Sequence, residues 1–225
     1  MIGSFKKLAA IALPLGLSLF AGHAQAVPVA FGGWEISSDP GINLTITGVN
    51  SNQVLVIENK SVTFSNGIPL GVTFTQVSSG AVSSVEFATE TIGNATGSDW
   101  TGFQFGLSGA ATFDGIANVF APPFGTGVNY SSVQLNAMRN LLTYTGSQSS
   151  GATSNWGSSN PGDDLLIDAV PTDTEPFASF TLTESPQGVS SKVVPLPAAA
   201  WQSLPVLLLL AVIPAARKAL GKARA

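Results

Sequence analysis

The chain has 225 residues, with thirteen acidic residues, nine basic ones, a single histidine and no cysteine. Residues 27–193 hold all thirteen acids but only Lys60, Arg139 and Lys192 among the bases, a net charge of −10 against −4 for the whole chain. So acidic a segment repels phosphate backbones and excludes nucleic acid as a partner, and the missing cysteines exclude disulfides, thiolate nucleophiles and zinc–sulfur sites.

Residues 1–26 have the grammar of a secretory signal peptide. Lys6 and Lys7 make a positive start, residues 8–21 an apolar core, and Ala24-Gln25-Ala26 a small-x-small cleavage site. Ala24 and Ala26 are the residues that signal peptidase would read. The general secretion machinery is therefore an expected partner, and Val27 the expected first residue of the mature chain. Cleavage removes His23, the only histidine. Without histidine or cysteine the exported part can build no Ser-His-Asp triad, no Cys-His pair and no histidine metal site. An enzyme is not expected.

From residue 27 to 184 the chain reads as one domain of short strands. Gly, Ser, Thr, Asn, Val and Phe dominate, a composition that favours strands joined by turns. Ile42, Leu44 and Ile46 alternate with Asn43, Thr45 and Thr47. Val54-Leu55-Val56-Ile57 is a continuous apolar run, the pattern of a strand covered on both faces. Val72 and Phe74, Val85 and Phe87, then Phe103, Phe105 and Leu107, and finally Phe180 and Leu182 alternate with polar or small residues. Turn signals separate these runs at Asp39-Pro40-Gly41, Ser65-Asn66-Gly67, Ser79-Gly80 and Asn160-Pro161-Gly162. The spacing predicts an all-β fold, an antiparallel β-sandwich of jelly-roll or immunoglobulin-like type. Residues 133–142 fit a strand followed by a turn. Residues 146–162 read as a long loop, and residues 185–193 as a polar linker.

Two weaker patterns offer binding chemistry. Asp163, Asp164 and Asp168 form the densest acidic group, a solvated loop or a weak calcium site, since calcium takes several oxygen ligands. Trp100 and Trp156, with Trp34, are either core residues or a platform on which a glycan could stack. A calcium- or glycan-binding lectin-like module is therefore the alternative to a structural or interaction role.

The C-terminal residues 194–225 carry the clearest signal. Val194-Pro195-Leu196-Pro197-Ala198 precedes an uncharged apolar stretch, about residues 198–216, followed by Arg217, Lys218, Lys222 and Arg224. A membrane helix needs about 20 apolar residues to cross about 30 Å of hydrocarbon, and this stretch supplies them. Trp201 suits the interface, and the cations should remain cytoplasmic. The expected topology is a single pass with the domain outside. Pro195 and Pro197 favour an extended backbone at the membrane surface, a shape that fits a protease cleft.

This order of motif, span and basic end resembles the VPLPA variety of the PEP-CTERM sorting signal. The resemblance covers about the last thirty residues and implies that the chain is a substrate of an exosortase-like membrane protease. It further implies a surface or extracellular-matrix protein of a Gram-negative bacterium that makes exopolysaccharide, first anchored in the inner membrane and then processed to the cell surface or beyond. Residues 94–107, with Asn94, Thr96-Gly97, Trp100, Phe103, Phe105 and Leu107, also resemble a segment that recurs in ectodomains bearing such tails. Physically, that segment is a turn leading into a strand.

Overall fold

The computed structural model describes residues 28–157 and 163–189. Among the described residues fourteen strands form two sheets whose inner faces share one core. In chain order they are β1 (Val29–Phe31), β2 (Trp34–Ser38), β3 (Ile42–Val49), β4 (Val54–Phe64), β5 (Leu70–Gln76), β6 (Ser84–Phe87) and β7 (Glu90–Asn94). There follow β8 (Trp100–Gly109), β9 (Ala111–Phe113), β10 (Val128–Leu135), β11 (Leu141–Gln148), β12 (Thr153–Trp156), β13 (Leu165–Ala169) and β14 (Ser179–Gln187). The all-β expectation stands.

The first sheet runs β1-β2-β5-β14-β8-β11-β10 and is antiparallel throughout. The second is mixed, which departs from the purely antiparallel expectation. β3 pairs antiparallel with one side of β4. On the other side β4 runs parallel to β6 with its first half and parallel to β7 with its second. β12 then extends β7, while β13 and β9 extend β6.

Alternation explains which faces meet. Ile36, Phe74, Phe180, Leu182, Phe103, Phe105, Leu142 and Tyr144 point inward from the first sheet; Leu55, Ile57, Val62, Phe64, Val85, Phe87, Ile92, Trp156, Leu165 and Ile167 point inward from the second. Aromatic rings bridge the layers. Phe74 meets Phe87 at 6.3 Å between ring centroids, Phe64 meets Trp100 at 5.6 Å, and Phe103 meets Trp156 at 5.5 Å. The apolar run over residues 54–57 is buried only at Leu55 and Ile57, so β4 follows the ordinary alternation of a one-face strand.

One irregularity sets which side chains reach the centre of the core. The β3–β4 register slips around Thr45 and Ile46, which pair with Asn59 and Ile57, leaving Glu58 as an extra residue. Such a bulge reverses which face the next residues present. On the neighbouring side Ala88 and Thr89 break the line between β6 and β7. The two breaks are bonded together: the Ala88 amide donates to Ile57 O at 3.0 Å, the Lys60 amide to Thr89 O at 3.0 Å, and the Thr89 hydroxyl to Glu58 O at 2.8 Å. Beyond the break, Lys60 and Glu90 take the inward phase that Ile57 and Phe87 held before it.

Residues 133–142 form the expected strand and turn, the strand β10 beginning earlier at Val128 and the turn holding Arg139 in the left-handed region at φ 55°. The long loop expected over residues 146–162 is corrected over residues 146–157, residues 158–162 lying outside the described ones. β11 continues to Gln148, and β12 places Ser154 and Trp156 inward. Its Thr, Ser and Asn content hid a strand whose alternation is set by one large aromatic. The expected linker start at residue 185 falls inside β14, which runs to Gln187. Pro186 is tolerated because β14 is paired there with β8 alone, the β5 pairing having ended where Glu184 meets Leu70.

Candidate functional site

The expected sorting motif Val194-Pro195-Leu196-Pro197-Ala198, the cations Arg217, Lys218, Lys222 and Arg224, the expected membrane span, and the expected cleavage residues Ala24 and Ala26 lie outside the described residues. Within the described domain, the densest unusual chemistry is at the centre of the core. Lys60 of β4, Glu90 of β7 and Glu184 of β14 are all fully buried.

Their convergence follows from local structure. The matched breaks turn Lys60 and Glu90 inward as direct neighbours, residue 60 opposite residue 90 in the parallel β4–β7 pair. Glu184 continues the inward phase of Phe180 and Leu182 from the facing sheet. Lys60 Nζ lies against Glu90 Oε1 and Glu184 Oε1. Glu90 Oε2 and both Glu184 oxygens have no hydrogen-bond partner, Glu184 Oε1 meeting Lys60 as an ion pair only. Aromatic residues flank the group: Trp156 is the register partner of Glu90, and Phe105 that of Glu184.

The electrostatics favour a net-neutral state. Burial pulls the Lys60 ammonium down, but the carboxylates, Glu184 foremost, outweigh it, and the amine is raised overall. Burial, and then the charge of Glu184, push the Glu90 carboxyl well above the usual range against the pull of Lys60. With Glu90 protonated the three side chains carry no net charge. Burial, with a contribution from Glu90, also raises the nearby Tyr144 phenol, which stays protonated and donates to Phe120 O at 2.7 Å. Three ionisable groups in a dry core are costly unless paired and hydrogen-bonded throughout, and this pairing is incomplete.

Sequence reasoning counted these residues only as charges. A signal was nevertheless present. Lys60 is in phase with Val62 and Phe64, Glu90 with Ile92, and Glu184 with Phe180 and Leu182, so each sits at an apolar position of its strand.

Of the two readings of Trp100, Trp156 and Trp34, core or glycan platform, burial supports the core and removes the platform. Trp100, Trp156 and Trp34 are essentially without exposed surface. Trp156 packs against the rings of Phe103, Phe105, Phe120, Tyr130 and Tyr144. A buried ring offers no face for a sugar. Trp100 instead closes a built turn. Buried Asn94 donates from its amide to Ser98 O at 2.9 Å and Gln148 O at 3.0 Å. Its Oδ1 accepts from the Thr96 hydroxyl at 2.7 Å, and Trp100 Nε1 donates to that hydroxyl at 3.2 Å. Residues 94–107 are thus a structural corner.

The calcium trio is not brought together either. Asp168 is committed to Arg139, whose guanidinium donates to it at 3.1 Å while its Nε donates to Phe113 O at 2.7 Å. Asp164 belongs to a different group: partial burial, then Glu86, Asp163 and Glu58, push its carboxyl up to about 6. Among the described residues no three His, Cys, Asp or Glu side chains are placed to hold a metal ion. A shallow depression of about 530 Å³ near Thr126, Gly127 and Ser149 has no titratable side chain in its lining.

Comparison with known proteins finds no matching family model, no matching curated protein and no matching solved structure.

Proposed function

We propose that the chain is an exported surface or extracellular-matrix protein, displayed on a membrane by its C-terminal helix and processed there by an exosortase-like protease. The observation that carries this is the order of parts in the tail: Val194-Pro195-Leu196-Pro197-Ala198, an uncharged apolar stretch, then Arg217 and Lys218. Prolines hold the motif extended, the apolar stretch spans, and the cations fix its depth. The signal peptide at the other end supports the same topology.

The folded domain has a structural or interaction role in this reading, linked to exopolysaccharide. Its support is physical. A sandwich of the jelly-roll or immunoglobulin-like kind with a dense aromatic core stands outside the cell without disulfides, and its net charge of −10 keeps it soluble there. The alternative of a lectin-like module loses its stacking surface with the burial of Trp100 and Trp156.

Intact-mass measurement on membrane and released fractions tests the proposal. A mature chain that starts at Val27 and ends near Pro197 or Ala198 supports processing. Retention of every residue to Ala225 in both fractions refutes it.

A further inference from the structure

We propose that Lys60 and Glu184 condense into an intramolecular amide that covalently joins the two sheets, with Glu90 carrying the protons. The argument starts from what the core holds. A primary amine touches two carboxyl groups, all three fully buried, and Glu90 Oε2 and both oxygens of Glu184 accept no hydrogen bond. Unsatisfied buried polar atoms call for an explanation, and a reaction that consumes them supplies one.

The chemistry balances without any co-reactant. In the neutral form of the group there is one ammonium, one carboxylate and one carboxyl. Transfer of a proton from the ammonium gives a free amine facing a carboxylic acid. Lys60 Nζ attacks Glu184 Cδ, forming the N–C bond and a tetrahedral centre. One Cδ–O bond then breaks, and that oxygen leaves as water with one proton from the amine and one from the acid. Glu90 relays the first: it gives its own proton to the departing oxygen and takes the amine's proton on its other oxygen, so it ends as it began. The products are a secondary amide and one water molecule.

Burial favours this outcome for two reasons. In water an amine and an acid ionise and stop each other from reacting, whereas in a low-dielectric core the unhydrated ion pair is costly and return of the proton to the carboxylate is easier. Fixed reacting groups also reach effective concentrations on the order of 10⁵–10⁸ M. The product removes an ion pair from a low-dielectric core, where charges are expensive. Its N–H can donate to Glu90, which then gains a partner. Glu184 is the acceptor because it arrives from the opposite sheet, while Glu90 is the group that burial keeps protonated and able to relay.

The placement suits a cross-link. β4 and β14 are interior strands of their sheets, so a bond between them ties the layers together at the middle. It would constrain the unfolded chain as a disulfide does, in an exported protein that has no cysteine.

Peptide mapping of the full chain tests the idea. The expected result is a branched tryptic product that joins the segment containing Lys60 to the one containing Glu184, lighter than the two separate peptides by one water, with the bond after Lys60 uncut. An unmodified Lys60 peptide with trypsin cleavage after it overturns the proposal. A bond mapped from Lys60 to Glu90 overturns the choice of acceptor. Lys60→Ala and Glu184→Ala should each restore the unmodified mass at the remaining partner. Glu90→Gln should leave Lys60 and Glu184 unjoined, and a Glu90→Gln chain as fully joined as the parent would overturn the proton-carrying role. The parent chain alone decides whether the bond exists, so a variant that does not fold leaves that decision in place.

Discussion

Trp156→Ala is the sharpest test of the core as described. Trp156 is 1 % exposed and touches five other aromatic rings, at centroid distances from 4.7 Å to Tyr144 to 6.2 Å to Phe120. Its indole N–H donates to Ser154 Oγ at 2.8 Å. Truncating a buried Trp or Phe to Ala costs about 3–5 kcal/mol, combining lost transfer energy and an unfilled cavity. Aromatic pairs add about 0.5–1.5 kcal/mol each, but five pairs sharing one ring do not sum. We therefore expect a loss of about 4 kcal/mol. At about 1.4 kcal/mol per factor of ten, that lowers the folding constant roughly a thousandfold. Against a typical total of about 5–15 kcal/mol, the variant should fold with a much lower denaturation midpoint. Urea unfolding followed by near-ultraviolet circular dichroism measures it. A solvent-facing Trp156 would cost less than about 0.5 kcal/mol on truncation, so a loss that small would refute the burial and restore a sugar-stacking surface.

Other parts of the fold give three more expected outcomes. Asn94→Ala removes the side chain that organises the corner before β8 and strands the Ser98 and Gln148 carbonyls; we expect a loss of about 2 kcal/mol by denaturant titration, with under about 0.5 kcal/mol showing the corner to be incidental. Asp164 has its carboxyl raised from 3.8 to about 6 by partial burial and then by Glu86, Asp163 and Glu58. The folded state thus holds its proton more tightly than the unfolded one, and stability falls as pH rises from about 4 to 6. Asp164→Asn should therefore stabilise at pH 7 and not at pH 4, by less than about 1 kcal/mol after solvent screening, and a carboxyl titration midpoint near 4 in a carbon-detected NMR series would sink this account. Gly109 sits at φ +86°, and a Cβ there would lie 2.3 Å from Ser179 O. Gly41, at φ +96°, has open space instead. Gly109→Ala should cost more than about 2 kcal/mol and Gly41→Ala only about 1, and equal thermal shifts would contradict the close approach of backbone at Gly109.

Part of this architecture could be read from alternation. Val72-Thr73-Phe74, Val85-Glu86-Phe87 and Phe103-Gln104-Phe105 present one apolar face each, and each became a strand with that face in the core. β12 escapes such reading because Thr153, Ser154 and Asn155 are ordinary turn residues, and only their pairing with β7 makes them strand. The parallel β4–β6 and β4–β7 pairs are also beyond local pattern. Parallel pairing joins segments distant in sequence and leaves no turn signature between them.

The sequence by itself determined the apolar faces and the absence of thiol chemistry, because these depend only on residue type and short-range order. Tertiary structure alone decided the fate of Lys60, Glu90 and Glu184. The bulge at Glu58 and the break at Ala88 and Thr89 shift the phase of two strands together, and the facing sheet delivers Glu184 to the same point. A charge on an apolar phase is visible in one strand, but whether it meets its partners depends on how two sheets are stacked.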